Sequence, residues 1–186
     1  MNVYTKENTC CFSGHRAEKL PWKYNEDDPQ CRTLKLALDD LIRTAYETGY
    51  RRFLSGMATG IDTLCAETVL AMRSEHPDII LEAAIPFLGQ ERKWPSAMQD
   101  RYRRLVNACD FTTVLSDTYN SGCMMARNRY MVDRSSLLIA VYDGRRGGTY
   151  NTVRYAEKIG CTAVVLPLTG FEHLFSVSDV PFINRM

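Results

Sequence analysis

The sequence has no long apolar run. No stretch approaches the roughly 20 apolar residues that a helix needs to cross a bilayer, so no membrane partner is expected. A basic, apolar leader is missing from the amino terminus, and the expected location is cytoplasmic. Paired-cysteine spacing is missing too. The seven cysteines (Cys10, Cys11, Cys31, Cys65, Cys109, Cys123 and Cys161) are odd in number, form no C-x-x-C, and sit mostly in apolar runs. They read as reduced core residues. Histidine is scarce: His15, His76 and His173 lie far apart, and no metal site is expected. Net charge is almost absent at +1, so overall charge does not argue for nucleic acid as a partner. No internal repeat or low-complexity segment is present.

What remains is an ordinary globular composition, 45% hydrophobic and 24% charged over 186 residues. That length suits one domain with a core of its own, expected over about residues 8–168 with a carboxyl-terminal tail over 169–186. Charge is skewed along the chain. Residues 1–100 carry 12 Lys/Arg against 15 Asp/Glu, and residues 101–186 carry 11 against 7. About a third of the second half's cations are expected at an anionic ligand, the rest on solvated helix faces.

Strand and helix signals alternate. Short apolar runs predict strands at 9–12, 51–55, 79–85, 111–115, 137–142 and 162–167. Helical periodicity falls between them, at 31–48, 62–74, 95–108, 123–133 and 149–159. The run Leu137–Tyr142 is apolar throughout, as suits a central parallel strand covered on both faces. This order predicts an α/β fold, a Rossmann-like three-layer α/β/α sandwich with a mostly parallel sheet of about six strands. Ligands of such folds bind beyond the carboxyl ends of the strands.

Five motifs fall at those ends: Ser13-Gly14-His15-Arg16, Ser55-Gly56, Pro86-Phe87, Ser116-Asp117 and Asp143-Gly144. Ser55-Gly56-Met57-Ala58-Thr59-Gly60-Ile61-Asp62 is a glycine turn between a strand and a helix. Such a turn aims free helical N–H groups at a ligand, most often a phosphate. Gly56, Met57, Ala58 and Gly60 are its expected phosphate contacts, and Asp62 is either a helix cap or an acceptor for a ribose hydroxyl. On this reading Gly56→Asp abolishes ligand binding with little loss of fold. The second turn, Gly147-Gly148-Thr149, offers amides, and Thr149 and Thr152 offer hydroxyls, for an opposing wall. Ser13, Gly14, His15 and Arg16 follow the first strand, with His15 an acid, a base or a plain hydrogen-bonding group; no carboxylate stands beside it in sequence. Pro86 and Phe87 close the third strand. In Cys123–Arg134, Arg127 and Asn128 supply charge and hydrogen bonds; Arg129 points about 200° away from Arg127 on a regular helix, so one of the two belongs on the surface. Trp94, with Tyr102, Tyr119 and Tyr150, is the candidate for stacking on a base.

Taken in order, FSGHR, SGMATGID, Ile85-Pro86-Phe87, RNRYMVDRSSLLIAVYDG and GGTYNTVRYAEK resemble the YpsA-like family of the SLOG superfamily. The superfamily also holds the DNA-processing protein A and Lonely Guy branches. The resemblance covers nearly all of residues 8–168. It implies a bound nucleotide such as ADP-ribose or NAD in place of any fixed cofactor. It also implies a role in bacterial cell division or stress signalling with a protein partner, and is compatible with a homodimer.

The sister branches supply alternatives. Lonely Guy enzymes cleave nucleoside 5′-monophosphates through a G-G-x-G-T-x-x-E motif. Here Arg154 stands where the glutamate would be, and Glu157 lies one turn on. A cation cannot do the work of that carboxylate, so phosphoribohydrolase or NAD-derivative hydrolase chemistry is the second reading. Single-stranded DNA binding, shared with the S-G-x-A-x-G-I-D and R-N-R patterns, is the third; it needs a basic groove with stacking aromatics.

Overall fold

The computed structural model describes residues 4–168; the tail expected over 169–186 lies outside the described residues. Six strands alternate with five helices: β1 Thr9–Gly14, α1 Pro29–Glu47, β2 Arg52–Ser55, α2 Ile61–Met72, β3 Ile80–Ile85, α3 Ser96–Ala108, β4 Phe111–Val114, α4 Cys123–Asp133, β5 Leu137–Val141, α5 Gly148–Lys158 and β6 Thr162–Leu166. Every pairing is parallel, in the order β4-β3-β2-β1-β5-β6. The fold is therefore the Rossmann-like α/β sandwich that the alternation predicts, with a sheet parallel throughout.

The two-residue period of the strands divides the core. Cys10, Phe12, Phe53, Leu81, Ile139 and Val164 point to the side covered by α1, α2 and α3. Cys11, Leu54, Ala84, Leu138 and Ala140 point to the side covered by α4 and α5. Pro95 sits immediately before α3, where its missing N–H and fixed φ do no harm. Asp28 caps α1, its carboxylate accepting from Gln30 N at 2.8 Å ahead of Pro29. All seven cysteines are free, and only Cys109 is not fully buried.

Chain direction decides where a ligand can go. From β1 the chain steps through β2 and β3 to β4; it then returns to place β5 on β1's other side. The strand order thus reverses between β1 and β5, and at such a switch point the following loops part and leave a crevice. Gly14 is in register with Val141 at the carboxyl ends of these two strands. Residues 15 onward and 142 onward therefore face one another across the crevice.

Candidate functional site

Two chambers open at the carboxyl ends of the strands. The inner one, about 160 Å³, is polar. Ser13, Gly14, His15 and Arg16 line it from the end of β1, and Ala58 and Asp62 from the turn before α2. Arg127 and Asn128 face it from α4, and Arg146, Gly147, Gly148 and Thr149 from the start of α5. The outer one, about 720 Å³, holds aromatic rings: Tyr24, Phe87, Trp94 and Tyr119. Arg16 and Met124 belong to both and form the wall between them, with Arg16 Nη2 3.5 Å from Met124 Sδ.

The start of α5 is an open helix terminus. Its cap residue Gly147 makes no side-chain cap, so the first-turn amides have no partner within the helix. A Cβ built on Gly147 or Gly148 would meet nothing within 4 Å, so the backbone there is bare toward the chamber. The helix dipole and these N–H groups favour an anion. Behind them Thr152 is buried; its hydroxyl donates to Gly148 O at 2.9 Å and accepts from Asn128 Nδ2 at 2.7 Å. Thr152 thus ties α4 to α5 instead of lining the chamber.

The other glycine turn works differently from the phosphate cradle the sequence suggests. Asp62, on the first turn of α2, occupies the place of an anion. Its Oδ2 accepts from Ala58 N at 3.4 Å and from Arg127 Nη1 at 3.1 Å, and both side chains of that ion pair are buried. Burial pushes the Asp62 carboxyl up, and the Arg127 charge beside it pulls back. Burial likewise works against the Arg127 charge, with Asp62 opposing it. Gly56 is needed because this guanidinium lies on its backbone: a Cβ there would stand 1.2 Å from Arg127 Nη1 and 2.7 Å from Asp62 Oδ2. Substitution at Gly56 therefore attacks the ion pair, and the expectation that Gly56→Asp spares the fold is corrected on that ground. Met57 is buried in the left-handed region at φ 52°, its N–H donating to Ser55 Oγ at 3.2 Å. Gly60, at φ 89°, packs against the chain after β1, where a Cβ would meet His15 O at 2.5 Å. Gly56, Met57, Gly60, Pro86 and Thr152 are thus placed behind the walls of the two chambers, not in them. Asp62 lines the inner chamber already engaged, and is not a free ribose acceptor.

Arg129 is exposed and lies over the Tyr155 ring at 5.4 Å, so Arg127 alone of the two turns inward. Trp94 meets Tyr102 edge-on at 5.5 Å, and Phe87 meets Tyr119 at 5.4 Å. Tyr150, on α5, is half-buried against the core on the α4 and α5 side of the sheet. Arg154 is exposed, paired with Glu157 at 2.6 Å, and neither residue lines the inner chamber.

Several residues in or beside the chambers lie outside the candidate set that the sequence gives. Asp143 follows β5, and its Oδ1 lies 3.0 Å from His15 Nε2, across 128 residues of chain. The hydrogen bond from His15 holds the Asp143 carboxyl below its usual range. The strand-end position of both residues was the available signal; the register of β1 on β5 was not. Lys19, on a short 3-10 turn over Ala17–Lys19, and Arg146 add cations. Among the described residues, Arg16, Lys19 and Arg146 form no ion pair, whereas Arg101, Arg103 and Arg154 are neutralised by neighbouring carboxylates. Gln90 lines the outer chamber, its amide donating to Gly56 O at 3.3 Å. Among the described residues there is no group of three metal-ligating side chains, and no helix long and apolar enough to cross a membrane.

Known proteins agree with this architecture. The family model described as the YspA SLOG family (YpsA) matches residues 10–159. An uncharacterised SPbeta prophage-derived protein, YoqJ, of Bacillus subtilis is 31% identical over 119 residues, 58% of this chain and 70% of its own. A UPF0398 protein of Brevibacillus brevis is 31% identical over 140 residues, 74% of this chain and 73% of its own. Among solved structures, DNA processing protein A of Streptococcus pneumoniae superposes with a TM-score of 0.60 at 19% identity, over 94% of this chain. This chain spans 53% of the length of that structure. The homologous protein of Helicobacter pylori, described with its single-stranded DNA binding mode, superposes with a TM-score of 0.56 at 20% identity, over 86% of this chain and 65% of its own. The matched region carries all five strand-end motifs, and the chain belongs to the YspA SLOG family.

Proposed function

We propose that the protein binds a nucleotide-derived small molecule, with its phosphate groups in the inner chamber and its aromatic ring in the outer one. One observation carries the reading. The uncapped amino terminus of α5, three cations without ion-pair partners, and the buried Arg127 converge on one small chamber. Arg127 Nε is buried with no hydrogen-bond partner. Unpaired cations gathered in one chamber cost stability until an anion meets them. The aromatic rings next door, reached past Arg16 and Met124, suit the flat face of a base. On this reading the anion lies at α5, and not at the turn before α2, where Asp62 would repel it.

The exposed Arg154–Glu157 pair weighs against phosphoribohydrolase chemistry of the Lonely Guy kind, which needs a carboxylate at the sugar. The Helicobacter neighbour, described with its single-stranded DNA binding mode, makes single-stranded DNA the competitor to test.

Thermal melting against inorganic pyrophosphate, AMP, ADP-ribose, NAD and a short single-stranded oligonucleotide tests the reading. A ligand at about 100 times its dissociation constant adds ~2.7 kcal/mol, a shift of several degrees. The expected pattern is a shift with pyrophosphate and a larger one with a nucleotide diphosphate, both reduced by Arg146→Glu and by salt. A shift with DNA alone, or equal shifts in Arg146→Glu, would refute it.

A further inference from the structure

His15 is held more firmly than a ligand contact requires. Its N–H donates to Val141 O at 3.2 Å, and its carbonyl accepts from Ile61 N at 3.2 Å. Its ring stands edge-on to Tyr142, with centroids 6.3 Å apart. Its Nε2 lies 3.0 Å from Asp143 Oδ1. Asp143 is itself fixed by Arg145, whose backbone N–H donates to Oδ1 at 3.1 Å and whose Nε lies 3.5 Å from Oδ2. The acceptor-only carboxylate selects the tautomer that carries its proton on Nε2. Nδ1 is then left with a free lone pair and, among the described residues, no partner. The ring lines the inner chamber opposite the open start of α5.

An imidazole oriented by a carboxylate on one nitrogen, with the other free, is the working geometry of a general base. The amides of α5 with Arg16 and Arg146 supply the other half of a hydrolytic centre. The amides, held by the helix, and the cations beside them meet negative charge as it develops on oxygen.

We propose that the protein hydrolyses a diphosphate bridge in its nucleotide-derived ligand, with His15 as the general base. This rests on the anion-binding reading above. Water attacks one phosphorus. A new O–P bond forms as the bridging P–O bond breaks, and the water's proton passes to His15 Nδ1. The electron pair of the broken bond departs with the second phosphate, and the imidazolium gives its proton back to solvent. A phosphate leaves as a stable anion and needs no acid at its side. That suits a chamber whose own carboxyl group, on Asp62, is engaged by Arg127 and by Ala58 N. An N-glycosidic bond to a neutral purine would require an acid there. The chamber's four cations and one carboxylate also match a ligand with two phosphate charges better than a single diester. Asp143 acts as a positioning residue; it touches the imidazole and not the substrate.

The test incubates the full chain with NAD and with ADP-ribose, and follows AMP release by anion-exchange chromatography and phosphorus NMR. AMP itself serves as the bridge-free control. The same preparations are titrated with pyrophosphate. The wild type is expected to release AMP from both probes. His15→Ala should lower the rate by roughly a hundredfold or more. Asp143→Asn should lower it less and should change the acid limb of the pH–rate profile, an effect that a purely structural role would not produce. Intact AMP-containing probes in a wild-type protein that binds pyrophosphate would overturn the hydrolysis and leave the binding reading standing. Cleavage unchanged in His15→Ala would overturn it as well. Failure to bind pyrophosphate or either probe would overturn both.

Discussion

Gly56→Ala is the sharpest test of how the site is built. One methyl group at residue 56 would stand 1.2 Å from Arg127 Nη1, so the guanidinium must leave its place. It cannot leave without abandoning Asp62, which is buried and accepts from that same nitrogen. Overpacking alone costs about 1–3 kcal/mol. Stranding one member of a buried ion pair costs about 3–5 kcal/mol. The expected loss is therefore about 3–5 kcal/mol, the two effects sharing one displacement, and for a chain of this size that lowers the melting temperature by roughly 10 °C. Urea unfolding of Gly56→Ala, Arg127→Ala and the double variant measures it. If the collision is the cause, the added methyl in the Arg127→Ala background costs clearly less than in the wild type, because only the contact with Asp62 Oδ2 at 2.7 Å remains. Additive losses, or a Gly56→Ala protein as stable as the wild type, would refute the account.

Further outcomes follow from other contacts. Thr152→Val removes the hydroxyl that links Asn128 to Gly148, and should weaken pyrophosphate binding about fivefold, one hydrogen bond's worth, without touching the ligand; unchanged affinity in titration calorimetry would show that α5 does not need this tie. Glu82 is buried, which opposes its ionisation, but hydrogen bonds from Tyr130, Arg52 and Thr113 outweigh burial and hold its carboxyl below the usual range. A lowered folded value means stability that is full above the unfolded carboxyl value of about 4.3 and lost as pH falls from there through the lower folded value. Glu82→Gln should therefore cost stability at neutral pH and flatten the acid limb of the melting curve; an unchanged limb would assign that limb to other carboxyls. Native thiol titration should find Cys109 the most reactive of the seven cysteines and still slow, since burial pushes its thiol up to about 12; rapid labelling of several thiols in the folded protein would contradict the packed core.

The element order was legible because local signals agreed with one another. Runs of four to seven residues, most of them closed by glycine or proline, gave the strands, and the face of Leu34, Leu38, Leu41 and Ile42 gave α1. Pro95 and Gly160 marked their helix ends within a residue or two. The strand-end positions of the candidate residues were legible for the same reason.

Sequence alone determined the alternation of β and α, and with it the parallel sheet and the end of the sheet at which the candidate residues gather. These depend on periodicity and on right-handed crossovers, which are local properties of the chain. Tertiary structure alone decided what each motif does there. Both glycine turns read alike in sequence, yet one receives Asp62 and Arg127 and the other stays open. His15 found its carboxylate only because β5 returned to pair with β1. Burial, charge pairing and register are set by residues far apart in the chain, and no local pattern records which of them will meet.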